Sequence, residues 1–111
     1  MNLIEKIRAA REQKVSIGKG TFTIRRPTDE EAIQFSRDDV GLVEIVKRFT
    51  TGWNLQEIDL IPGGSPTDIP FDGALFSEWV ADQPEVWEPL GQAVLNAYRA
   101  HTEKRDTAEK N

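Results

Sequence analysis

Residues 52–101 read GWNLQEIDLIPGGSPTDIPFDGALFSEWVADQPEVWEPLGQAVLNAYRAH, and the capping chemistry inside this stretch decides the fold. It holds all three tryptophans, Trp53, Trp79 and Trp87, and five of the six prolines. Asp72 has the chemistry of an N-cap, with Phe71 before it and Phe76 at the fourth helical position as a hydrophobic staple. Leu75, Phe76, Trp79 and Val80 then form an apolar stripe, predicting a helix that ends near Ala81. Asp82 and Glu85 repeat capping-box spacing, and Pro84 falls in the first turn, where its missing N–H is no loss. Pro89 predicts a kink or a restart, because it cannot donate to the Glu85 carbonyl. Beyond it Leu90, Val94, Ala97, Tyr98 and His101 share a helical face.

Upstream of Phe71, Pro62, Pro66, Pro70 and Gly63-Gly64 forbid regular structure through most of residues 53–70. The apolar side chains Trp53, Leu55, Ile58, Leu60 and Ile61 predict a connection pinned to the body of the protein. Asp59, Asp68 and Asp72 lack the alternate-residue spacing and closing Glu of a calcium loop.

The N-terminal part reads as packing for this stretch. Asn2 and Glu5 have capping-box spacing, and Leu3, Ile4, Ile7 and Ala10 lie on one face of a helix over 3–12. Residues 14–25 alternate instead. With Gly18-Lys19 as the two turn residues, Val15 stands opposite Phe22 and Ile17 opposite Gly20, so every apolar side chain shares one face of a hairpin. Gly18 then supplies the positive φ of a type II′ turn. A phosphate-loop reading of Gly18-Lys19-Gly20-Thr21 fails, since Gln13 and Gly20 occupy the places its Gly and Ser/Thr require. Thr28 and Glu31 form a capping box for a helix over 29–36, and Asp38-Asp39 start another that Gly52 closes.

At 111 residues without cysteine, the chain can bury roughly two-thirds of its unfolded surface without a disulfide or metal staple. No apolar run is long enough to span a bilayer, and the N-terminus lacks signal-peptide order, so a soluble intracellular protein is expected. Residues 1–26 carry seven Lys/Arg against Glu5 and Glu12, a balance of +5, leaving −10 on residues 27–111 of the net −5. These opposed balances predict salt-sensitive self-association, one copy's basic segment against another's acidic body. Nucleic acid is disfavoured as partner by the acidic body. The alternative is a small phage or bacterial regulator binding nucleic acid through Lys6, Arg8, Arg11, Lys14, Lys19, Arg25 and Arg26. His101, the one histidine, reads as a helix C-terminal residue. No nucleophile motif, metal cluster or dinucleotide fingerprint is present, so no catalytic, cofactor-binding or metal residue is assigned and an enzyme is not expected.

The resulting expectation is a mainly α (α+β) protein of four to five short helices with one N-terminal β-hairpin. Residues 1–101 form a single globular domain, and 102–111 a polar, frayed tail without large apolar residues. Large apolar side chains exceed what a short helical pair covers, making Trp53, Phe71, Phe76, Trp79, Trp87 and Leu90 the candidate partner-binding residues, with Trp87 the exposed anchor.

Gly52-Trp53-Asn54, Pro62-Gly63-Gly64, Ile69-Pro70-Phe71, Leu75-Phe76-Ser77-Glu78-Trp79, Pro84-Glu85-Val86-Trp87-Glu88-Pro89-Leu90 and Ala97-Tyr98-Arg99 resemble the tail assembly chaperones of long-tailed siphophages and related prophages. The likeness covers about residues 28–101. It implies a small helical protein without catalysis or cofactor that self-associates and keeps the tape measure protein soluble until tail tube protein polymerises around it. It implies further the bacterial host cytoplasm, absence from the mature virion, a possible contact with tail tube protein, and, in many relatives, a longer frameshifted form.

Overall fold

The alternation of residues 14–25 folds as a hairpin. In the computed structural model, which describes residues 1–110, β1 (Glu12–Ile17) and β2 (Gly20–Arg25) pair antiparallel, with Val15 opposite Phe22 and Ile17 opposite Gly20. Gly18 takes φ 58° while Lys19 stays outside the left-handed region, the pattern of a type II′ turn. Phe22 and Ile24 are fully buried, and Val15 and Ile17 pack beside them. Glycine at position 20 has its own cause: a Cβ there would lie 2.8 Å from Leu55 Cδ2.

A third strand was not expected. β3 (Thr50–Trp53) adds to β2 antiparallel, giving the order β1-β2-β3 with Phe22 opposite Trp53 and a register shift between Thr23 and Ile24. The β-branched Thr50-Thr51 pair stops the preceding helix and suits a pleated strand better than a helical turn. Gly52 is therefore a strand residue opposite Thr23, not a left-handed helix stop.

Around the sheet stand six helices among the described residues, one more than the upper expectation, within the expected α+β class. α1 (Leu3–Ala9) is capped by Asn2, whose Oδ1 accepts from Glu5 N at 2.8 Å. α2 (Asp29–Asp38) carries the Thr28–Glu31 box, with reciprocal bonds of 3.1 and 3.0 Å. Asp38-Asp39 does not open the next helix. Asp39 closes α2 at φ 51°, a conformation that Asp tolerates, and Gly41 occupies the N-cap of α3 (Leu42–Phe49). α4 (Glu57–Leu60) is a single turn within the long connection. α5 (Gly73–Val80) starts as the sequence dictates: Asp72 Oδ1 accepts from Leu75 N at 2.9 Å, and the Phe71 and Phe76 rings meet at 5.6 Å.

α6 (Pro84–Lys110) departs most from expectation. Pro84 takes its first position, one residue beyond where an Asp82–Glu85 box would set it. The helix continues across Pro89, leaving the Glu85 carbonyl without its helical donor. Of the stretch 102–111 expected to fray, Thr102 to Lys110 continues the 27-residue helix, and Asn111 lies outside the described residues. Thr102 to Lys110 is rich in Glu, Lys, Arg and Ala, good helix formers, and the helix is tied back to α2. Tyr98 Oη donates to Asp29 Oδ1 at 2.9 Å, and Arg105 pairs with Oδ2 of the same carboxylate. The Tyr98 hydrogen bond outweighs desolvation and, with the Arg105 charge assisting, holds the Asp29 carboxyl below the usual carboxylate range. His101 thus lies within α6, its Nε2 3.7 Å from Asp29, and not at a helix end.

The core joins Phe22 and Ile24 of the sheet to Val46 and Phe49 of α3, Phe76 and Val80 of α5, and Leu90 and Val94 of α6. Each is at most 1% exposed. No helix of the described residues is long and apolar enough to cross a membrane.

Candidate functional site

Trp53 is where the sheet, the long connection and α5 meet. Its position opposite Phe22 on β3 places the indole beside α5. Nε1 donates to the Ile69 carbonyl at 2.7 Å, satisfying the polar edge of a half-buried ring. The ring stands edge-on to Phe71, Phe76 and Trp79, with centroids 5.2, 6.0 and 6.1 Å away. Edge-to-face pairs of this kind contribute about 0.5–1.5 kcal/mol each beyond their buried area.

The connection from Asn54 to Pro70 doubles back on itself against this cluster. Ile69 N donates to Leu55 O at 3.0 Å, Glu57 N to Thr67 O at 2.9 Å and Ile58 N to Ser65 O at 3.0 Å. Gly63 turns the chain at φ 83°. Gly64 lies so close under α4 that a Cβ would be 2.8 Å from the Glu57 carbonyl oxygen. Leu55 is buried as the expected pin, and Leu60 packs partly, whereas Ile58 and Ile61 point outward.

Between α4 and α5 this leaves an apolar groove of about 370 Å³, with Leu60, Ile61, Ile69, Leu75 and Trp79 as its walls and Glu57 and Glu78 at its rims. Ile61 is 60% exposed and Leu75 38%. A second depression of about 340 Å³ lies on the other side of Trp79, beside Ile17, Leu55 and Val86. Trp79 is the ridge between the two.

The six sequence-nominated residues separate into three groups. Trp53, Phe71 and Trp79 gather into one half-buried aromatic surface. Phe76 joins that cluster but is fully enclosed, and Leu90 is fully enclosed in the core, so neither presents a partner surface. Trp87 is half-buried against the core on α6, with no aromatic neighbour among the described residues, so it is neither enclosed like Phe76 nor fully free. The apolar stripe of α5 divides by register, and the expectation that Leu75 is buried along with Phe76 is corrected. On α5 the core side is taken by Phe76 and Val80, one turn apart and fully buried, while Leu75 is 38% exposed and shares the outer row with half-buried Trp79.

A depression of about 540 Å³ lies at the basic end between Arg8, Arg11, Arg25 and Glu12, Glu30, Glu31. Its charges alternate in sign. Arg25 is already bidentate with Glu31, at 2.9 and 3.0 Å, so the site has no uniform positive field for phosphate. Among the described residues no group of three or more His, Asp or Glu could hold a metal ion. No protein-family model, curated protein or solved structure matches this chain.

Proposed function

We propose that this chain is a tail assembly chaperone of a phage or prophage, binding apolar stripes of the tape measure protein and keeping that long client soluble while the tail tube assembles. The observation that carries the reading is the α4–α5 groove: exposed Ile61 and Leu75 beside the Trp79 ridge, with Glu57 and Glu78 keeping its rims wet. An amphipathic client helix presents apolar side chains at i, i+3 or i+4 and i+7, the form such a groove accepts. The resemblance of residues 28–101 to that chaperone class supplies the client. In this role the chain works in the bacterial host cytoplasm without catalysis or cofactor, contacts tail tube protein at most in passing, and is absent from the mature virion.

The test is co-expression with the tape measure protein of the same phage or prophage. Wild-type chain should move the tape measure protein into the soluble fraction, and Leu75→Asp should not. Equal solubility with the two proteins, at equal chaperone level, would defeat the proposal.

A further inference from the structure

We infer that α1 is the element by which one copy of this chain docks on another, its apolar face seated in the α4–α5 groove of the second copy. Among the described residues no hydrogen bond or ion pair ties α1 to another element. All seven residues are exposed, with Leu3, Ile4 and Ile7 on one face at 75%, 61% and 55%. Isolated helices shorter than about 12–15 residues are marginal in water, and a single cap from Asn2 does not alter that. A packing surface from outside is what this helix lacks.

The groove offers that surface with the matching charge. Its walls include Leu60, Ile61, Leu75 and Trp79, and its rims are Glu57 and Glu78. α1 flanks its apolar row with Lys6 and Arg8, and Arg11 follows. The same complementarity holds at the scale of the chain, +5 on residues 1–26 against −10 on the remainder. Charges of opposite sign around an apolar contact steer the encounter and fix its direction. A short basic amphipathic helix also suits an anionic lipid surface. The acid-rimmed apolar groove on the same molecule favours the second copy. Because helix and groove are different surfaces, the contact is heterologous and each added copy offers a free groove or a free α1.

The inference gives the client groove a resident in the free protein and so rests on the same surface. It is measured with no client present, so either reading can fail alone. Two variants at exposed positions test it by sedimentation velocity at low salt: I4D/I7D in α1 and Ile61→Arg in the groove. Wild type should sediment above monomer mass as concentration rises, less so in high salt, and each variant as monomer. An equimolar mixture should form a one-to-one complex and stop there, because only one kind of intact helix meets one kind of intact groove. Leu75→Arg repeats the groove arm independently, and circular dichroism checks folding. Monomeric wild type, variants that associate like wild type, or a mixture that stays monomeric would each overturn the assignment. So would a monomeric wild type that binds phosphatidylglycerol vesicles through α1.

Discussion

Gly91 of α6 lies so close to Leu42 of α3 that a Cβ on it would stand 2.4 Å from Leu42 Cγ. The two helices cross at this point, and the absence of a side chain sets their approach. Gly91→Ala should gain about 1 kcal/mol of helix propensity yet force Leu42 aside, for a net loss of about 1–3 kcal/mol. Chemical denaturation measures this, and Leu42→Ala in the same chain should recover part of the loss. A more stable Gly91→Ala protein would mean that the crossing is looser than described.

Acid should act through Glu31. Hydrogen bonds from Arg25 hold its carboxyl down to about 2, from 4.5, with the Thr28 N–H assisting and burial opposing. The folded pKa lies below the unfolded one, so the contribution to stability is complete above the unfolded value and disappears as pH falls from about 4.5 toward about 2. Glu31→Gln should lower the melting temperature at pH 7 and flatten its fall between pH 5 and pH 2.5. Parallel curves for variant and wild type would show the Arg25–Glu31 pair to be energetically idle.

Thr50 opens β3 at 4% exposure, and its Oγ1 is buried without a hydrogen-bond partner among the described residues. An unsatisfied buried hydroxyl costs about 1–3 kcal/mol, and Val keeps the shape and the β-branch. Thr50→Val should therefore raise stability by about 1 kcal/mol. Destabilisation would point to a polar partner for this hydroxyl, such as an ordered water.

Local chemistry was legible where one residue type forces one geometry. Gly18 and the alternation around it set the hairpin register, and Thr28, Glu31 and Asp72 set two helix starts. Non-local pairing was not. Thr50-Thr51 signals a weak helix end, but nothing local says that β2 has an open edge waiting for them. Asp39 and Asp38 carry cap chemistry usable at either end of a helix, and the left-handed Asp39 settles it only in three dimensions. The tail looked frayed for want of apolar residues, while its anchor is a polar contact across 76 positions, Arg105 to Asp29. The site was half legible: aromatics named a region, and only the α5 register separates enclosed Phe76 from exposed Leu75.

Stability and client capture should separate between Trp87 and Leu75. Trp87 is half-buried against the core, so Trp87→Ala removes packing and should cost about 2 kcal/mol, below the 3–5 of a fully buried aromatic. Its effect on client solubility should follow that loss and fade at temperatures where the variant stays folded. Leu75→Asp changes an exposed position on the outer row of α5 and should alter stability by about 0.5 kcal/mol or less. Yet it sets a charge inside an apolar groove whose rims Glu57 and Glu78 are already negative, where an apolar client side chain gains nothing by burial. Capture of a tape measure fragment at 20 °C should therefore fail for Leu75→Asp and persist for Trp87→Ala. The reverse pattern, with Trp87→Ala stable and inactive, would move the client surface from the α4–α5 groove to α6.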